Sequence, residues 1–599
     1  MNKAHHATEI ETMNSRNFFA NGYLSLRLLF KEDSRMSLIY IGISFFQAIS
    51  WVLQVLVLQW FFDKLSAFSM NEINFSQILL TLSGLALIYI LYHVMDGLGN
   101  CYEEIFGLSV AKHLNQLTFK RIGKLKAAEF EDTKRLEFIN KSINGSAKMI
   151  WVASTLLDII FYYTSYFVFM SWYLFTLKPI LAVSIVAVFV PCILTQLVRV
   201  SAFKNLEDES APLRREYEYY EKCLTNKDSL KETRLLGVTS FFSQLYYSSL
   251  ERLNSLVFRV ELKKSLINFT LSIGTVIGYG VILYMLFTSV MNREITIGAF
   301  AAVLASIANL YRFMNKLISE RIAWATENIG STENFLDFIS EPISNQSVLP
   351  RPQHSDIKLK DVRFKYPMTD RWAVQGINLT ITDKQTLAIV GENGSGKTTL
   401  CRVIMGLYHP SEGEVTYGDV RADRVSHDNM SVVFQNYCRY AMSLSENIRI
   451  SQIDEQVVYG KVESACKDAG IHLGHELFLK EGIHTKLGRE FGGVDLSGGQ
   501  WQRIAIARGL YRTSEFIVLD EPTAAIDPLE ETRLYNDFAK ICENKTAIIV
   551  SHRLGSVKLA DRIIVMKAGR IVQDGTHEQL MAQEGEYRTM YSAQEKWYS

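Results

Sequence analysis

The sequence predicts a multi-domain membrane protein, with an all-α six-helix transmembrane domain followed by an α/β domain of the P-loop kind. Three observations carry this. Six long apolar runs are confined to roughly the first 320 residues, a polar proline-bearing stretch begins near residue 341, and a glycine-rich loop then sits between an apolar strand and a helix. At 599 residues with 48% hydrophobic side chains, the chain exceeds one core. Its 63 Lys and Arg balance 63 Asp and Glu, so there is no basic footprint and no expectation of nucleic acid as a partner.

The runs are 36–62, about 77–97, 150–175, 179–200, 266–290 and 296–318. Each approaches the ~20 residues a helix needs to cross hydrocarbon, and polar residues interrupt the second and sixth. The leading MNKAHHATEIETMNSRN lacks the apolar core of a signal peptide, so the first crossing is expected to direct insertion. Residues 1–35 are expected to be a cytoplasmic segment in which YLSLRLLFKEDSR forms either an interfacial amphipathic helix or a plain connecting one. Residues 36–340 are expected to form the membrane domain.

Orientation follows from the cations. Lys112 through Lys148 crowd the connection between runs two and three, and Lys204 through Arg252 that between runs four and five. The opposite loops hold only Lys64, Lys178 and Arg293, so a multi-pass protein of the cell membrane is expected, with its N-terminus and C-terminal domain cytoplasmic. Both inner connections read as helical extensions of the crossings.

Polar side chains line three crossings: Ser44, Gln47, Trp51 and Gln54 on the first; Asp158, Tyr162, Ser165 and Phe169 on the third; Ser306, Asn309, Phe313, Lys316 and Glu320 on the sixth. Polar groups are costly against lipid, so these faces are expected either to turn to a water-filled pathway or to hydrogen-bond between helices. Asp158 is either a functional ionisable group or the partner of a neighbouring helix.

Residues 341–354 read as a linker and 355–599 as the soluble domain, in which β-rich runs such as TLAIVG, EFIVLDEP and TAIIVSH alternate with helical ones. The seven cysteines are scattered without Cys-x-x-Cys spacing, as expected of reduced thiols.

GENGSGKTT opens a helix directly after TLAIV. Gly391, Gly394 and Gly396 free backbone N–H groups to face phosphate, Lys397 supplies a point charge, and Thr398 offers a hydroxyl to Mg²⁺. Asn393, Ser395 and Thr399 complete the expected cradle of a nucleotide-binding domain. The apolar FIVL ends in Asp520, suited to hold the metal, and in Glu521, placed to polarise an attacking water. A second glycine-bearing loop, DLSGGQ, precedes the helix WQRIAIARGL, and one chain has no evident need of two.

Here the chain resembles the ABC transporter family over nearly its whole length. Tyr366 in FKYP matches the family's adenine-stacking aromatic, Gln435 in VVFQN its magnesium-sensing glutamine, and Leu496 to Gln500 its signature. Asp527 matches the loop after the second acidic motif, and His552 in VSHR the switch histidine. The resemblance implies ATP and Mg²⁺ as cofactors, Glu521 and His552 as catalytic residues, and Thr398, Gln435 and Asp520 as holders of the metal. It also answers the two-loop question, because Ser497, Gly498, Gly499 and Gln500 would close over nucleotide held by a second copy. A dimer is implied, most simply a homodimer, with a related chain as the alternative partner.

Six crossings ahead of one nucleotide domain resemble the exporter branch, whose coupling helices fall here at AEFEDTKRLEF (128–138) and LKETRLLGVTSFF (230–242). Both are expected near the partner's Gln435. FGGVDLSGGQWQ resembles the lanthipeptide-exporter subgroup, implying an ATPase that moves an amphipathic, ribosomally made peptide through the membrane lipid. A lipid or multidrug exporter, a fused importer, or a non-transport ABC ATPase acting as a switch are the competing readings. About 35 residues precede the first crossing, too few for a Cys/His peptidase, so leader removal is expected elsewhere.

Overall fold

The structure, a computed structural model, describes residues 18–183, 210, 212–342, 349–352, 354–453, 458–522, 542–552 and 556–598. It divides into two compact units, Met1–Lys124 with Glu137–Pro342, and Leu125–Leu136 with Ile343–Ser599.

The first unit is helical. α1 (Phe18–Glu32) is the short helix ahead of the first crossing, and it docks through Leu29 onto Phe106, Leu114, Met149 and Phe335. Asp33 ends it and caps α2 (Ser34–Ser69), accepting from the Met36 N–H at 3.2 Å. α3 (Phe75–Ile122), α4 (Thr133–Leu177), α5 (Lys227–Leu235), α6 (Thr239–Met291) and α7 (Ile297–Ser340) follow. Among the described residues α2, α3, α4 and α7 are long and apolar enough to cross a membrane, and Val276–Met291 at the end of α6 is a shorter apolar helix. Most of the fourth run lies outside the described residues. α3 and α6, at 48 and 53 residues, far exceed the ~20 a crossing needs, as expected of helical extensions.

Two helices are interrupted by π-helical turns, α4 at Asp158–Tyr163 and α7 at Lys316–Ile322. Such an extra-residue turn weakens the helix and tends to mark a specific tertiary demand. Each of these turns carries one member of an ionic cluster. Arg321 grips Glu103 of α3 with both terminal nitrogens, at 2.8 and 3.2 Å, and stands 3.5 Å from Asp158, which accepts from the Tyr40 hydroxyl at 2.8 Å. Of the two readings of Asp158, the structure shows pairing.

The three polar faces are packed between helices in part. Ser44, Trp51, Gln54, Ser306 and Phe313 are buried. Phe313 lies edge-on to Trp51 at 4.6 Å and 5.7 Å from Tyr162, because aromatic rings gain more from such contact than from water. Gln47 donates to Asp96 at 2.8 Å, while Lys316 and Glu320 stay exposed.

The second unit is α/β. An antiparallel sheet of order β2-β1-β4-β5 comprises β1 (Ile357–Lys365), β2 (Trp372–Ile381), β4 (Glu412–Tyr417) and β5 (Val420–Arg421). A six-stranded sheet of order β10-β9-β3-β8-β7-β6 is parallel from β9 to β6, with β10 antiparallel at its edge. Its strands are β3 (Thr386–Gly391), β6 (Met430–Val433), β7 (Phe516–Asp520), β8 (Thr546–Val550), β9 (Arg562–Lys567) and β10 (Arg570–Gly575). β7 and β8 are buried at every residue, which is why they read as unbroken apolar runs instead of alternating ones. α8 (Lys397–Ile404) follows β3, and α9 (Leu444–Arg449), α10 (Tyr459–Asp468) and α11 (Gly498–Tyr511) pack together in one apolar cluster that includes Leu444, Val462 and Trp501. α12 (His577–Ala582) and α13 (Glu586–Tyr598) close the chain.

Candidate ATP site

The loop between β3 and α8 is shaped by backbone that only glycine tolerates comfortably. Gly396 caps α8 with φ at 102°, and a Cβ there would collide with the Ala373 carbonyl. The turn exposes the first N–H groups of α8 at the positive end of its dipole. Lys397 folds back, its ammonium donating to the Gly391 and Glu392 carbonyls at 2.8 and 2.9 Å. Burial pushes the Lys397 ammonium below the usual lysine range.

β7 delivers the carboxylates. Asp520 is buried and accepts from the Thr398 hydroxyl at 3.2 Å; burial raises its carboxyl, and the Thr398 bond opposes that. Glu521 takes a left-handed φ of 48°, held by its N–H donating to the Val550 carbonyl at 3.0 Å. This turn aims its carboxylate between two polar groups, the Gln435 amide nitrogen at 2.7 Å and His552 Nδ1 at 3.2 Å. Strained backbone of this kind persists where surrounding structure over-determines it.

A cavity of about 780 Å³ gathers most of the expected residues: Tyr366, Asn393, Gly394, Gly396, Lys397, Thr398, Thr399, Gln435, Glu521 and His552. Gly391, Ser395 and Asp520 are buried and stand outside this lining. Tyr366 holds Thr399 through its hydroxyl at 2.9 Å and packs edge-on against Phe364. Sequence reasoning missed Arg371, Trp372 and Gln375, which also line the cavity. The signal available was the aromatic in TDRWAV shortly after Tyr366; in the structure the Lys365 ammonium lies 5.5 Å over its ring.

Ser497, Gly498, Gly499 and Gln500 do not line this cavity. Ser497 caps α11 in a reciprocal box with Gln500, accepting from its N–H at 3.3 Å while its own N–H donates to the Gln500 side chain at 2.9 Å. Ser497 and Gly498 are exposed, so a helix N-terminus faces outward. Asp527 lies outside the described residues.

The first coupling stretch has a seat on its own chain, which the sequence did not announce. Its 3₁₀ turn, Ala127–Glu131, is built into the second unit of its own chain: Glu131 accepts from the Tyr408 hydroxyl and lies 3.5 Å from Arg402 of α8, and Ala128 packs on the core beneath. Tyr408 stacks on Phe364 at 5.2 Å, so an unbroken set of contacts joins Glu131 to the ring beside Tyr366.

Comparison with known proteins fits this geometry. The ABC transporter family profile matches residues 374–524, and that of the ABC transporter transmembrane region matches 37–313. The nisin transport ATP-binding protein of Lactococcus lactis subsp. lactis is 25% identical over 98% of this chain and 99% of its own. The subtilin transport ATP-binding protein of Bacillus subtilis is 28% identical over 80% and 79%. An ATP-dependent lipid A-core flippase of Alkalilimnicola ehrlichii is 33% identical over 54% of this chain and 55% of its own. A bacterial Atm1-family ABC exporter solved with ATP bound shares the fold, with a TM-score of 0.72 at 21% identity, covering 93% of this chain and 99% of that one.

The fold and site define an ATP-hydrolysing, multi-pass membrane transporter of exporter architecture. The chain belongs to the ABC transporter family, as a half-transporter with one membrane domain fused to one ATP-binding domain.

Proposed function

We propose that two copies of this chain form an exporter that moves an amphipathic, ribosomally made peptide out of the cytoplasm across the cell membrane. The carrying observation is coverage: the nisin and subtilin transport proteins align along 98% and 80% of the chain, whereas the lipid A-core flippase aligns over 54%. The flippase's 33% identity in that half favours lipid as the second reading. The inner position of the N-terminus and ATP-binding unit rests on the cationic connections between crossings.

Assembly as a dimer is supported by the outward-facing Ser497 cap, which has no place in its own cavity. It is also supported by Leu235 and Leu236 at the end of α5, 87% and 63% exposed in the second coupling stretch. In the dimer each site takes Lys397, Glu521 and His552 from one copy and Ser497 with the α11 N-terminus from the other.

Thr398, Asp520 and Gln435 offer side-chain oxygens, which fits the hard Mg²⁺ ion. Bound there, Mg²⁺ would neutralise phosphate charge. Glu521 orients the attacking water and takes its proton on the carboxylate, once Gln435 and His552 turn from it toward the metal and the γ-phosphate. Lys397 exchanges its two carbonyl partners for phosphate oxygens.

The test is ATPase stimulation of the full chain in nanodiscs by amphipathic peptides and by lipid A-type lipids. Saturable stimulation by peptides alone supports the reading, and stimulation by the lipid alone replaces it with the second.

A further inference from the structure

We propose that α13, the last helix, sets the position of the switch histidine, and that Gln594 is a positioning residue for ATP hydrolysis acting through His552. The inference rests on the assignment of His552 to the ATP site.

His552 stands where the chain leaves the sheet. Val550 is the last residue of β8, and the Ser551 N–H still donates to the Ile389 carbonyl at 3.3 Å. His552 itself is past the end of the strand, and its imidazole stands with Nδ1 3.2 Å from Glu521, from where it has to reach the γ-phosphate. A shift of about 1 Å in such a group is enough to degrade a reaction.

α13 supplies a restraint at His552 and again a few residues downstream. The Gln594 side-chain amide donates to the His552 carbonyl. Six residues after His552, the Lys558 ammonium lies 5.1 Å over the Tyr591 ring. Val557 is buried in one cluster with Tyr587, Ala388, Val390 and Val565. The helix is itself well anchored: Tyr587 is fully buried, its hydroxyl meets His577 Nδ1 at 2.8 Å, and its ring stacks with Tyr591 at 6.1 Å. Gln594 and Tyr591 lie three residues apart, on the same face of α13. That face ties down His552 at one point and Lys558 at another.

The chemistry required is a donor of glutamine's reach at position 594, since the acceptor is a backbone carbonyl. ATPase assays on the full chain in nanodiscs, with Gln594→Ala, Gln594→Glu, Gln594→Lys and Lys558→Met, test this. Gln594→Ala and Gln594→Glu are expected to lower kcat about five-fold, the worth of one hydrogen bond, with KM for ATP unchanged. Gln594→Lys restores a donor and most of the rate, and Lys558→Met falls between wild type and Gln594→Ala. In a His552→Ala background Gln594→Ala should cost nothing more.

Full additivity with His552→Ala, a rise in KM equal to the loss in kcat, or a Gln594→Lys chain as slow as Gln594→Ala would overturn the proposal. If His552→Ala alone left the rate unchanged, the site assignment beneath it would fail instead. Should Gln594→Ala not fold, Gln594→Glu against Gln594→Lys carries the same contrast.

Discussion

Asp158 and Arg321 stand 3.5 Å apart, and each lies inside a π-helical turn, one on α4 and one on α7. The pair is 163 residues apart in sequence, and no helical period announces it. Arg321 also serves Glu103, so one cation holds two carboxylates whose side chains are 10% and 18% exposed.

Arg321→Met should therefore cost more than Asp158→Asn. The first strands two carboxylates beside each other and is expected to destabilise the chain by about 3 to 5 kcal/mol, the scale for removing one partner of a buried pair. The second leaves the bidentate Arg321–Glu103 contact in place. Thermal unfolding in nanodiscs measures both, and equal losses would contradict the assignment of Arg321 as the shared cation.

Gly396→Ala adds a Cβ against the Ala373 carbonyl on a backbone at φ 102°. Strain of about 1 to 3 kcal/mol is expected in the loop proposed to hold phosphate, with a weakening of ATP binding of roughly ten-fold or more. Nucleotide-dependent thermal shift reads this directly.

The sequence made the P-loop, the carboxylate-bearing end of β7 and the signature legible, because each is a short motif between elements of fixed period. It did not make the packing of the crossings legible. A face carrying Trp51 or Phe313 reads alike whether it meets water or Tyr162, since helical spacing says which residues share a face and not what covers it. Trp372 and Gln375 enter the cavity from the start of β2, where the aromatic of TDRWAV stands outside any motif spacing and so did not mark a site. The seat of Glu131 on Tyr408 depends on a contact across 277 residues, and charge alone did not place it.

Glu131→Ala removes the carboxylate that Arg402 and Tyr408 share. Basal ATP hydrolysis is expected to persist while stimulation by cargo falls several-fold, because the α8 helix keeps its site but loses its tie to the coupling turn. Comparing basal and stimulated rates in one preparation checks this; loss of the basal rate would place Glu131 in the site's own stability.

Glu521→Gln keeps the size of the side chain and an oxygen toward Gln435 but removes its basicity. ATP binding should be retained and hydrolysis slowed by about a hundred-fold or more, on the scale of losing a general base. Equilibrium nucleotide binding with single-turnover hydrolysis separates the two, and an unchanged rate would remove Glu521 from the role.

The most direct test of the shared site is complementation between two defective copies. A dimer of one Lys397→Ala chain and one Ser497→Arg chain places both defects in the same site and leaves the other intact, so ATPase activity should return well above that of either homodimer. A dimer of wild type with a Lys397→Ala, Ser497→Arg double variant has no intact site and should stay inactive. Recovery in the second pairing but not in the first would mean that each chain builds its site alone.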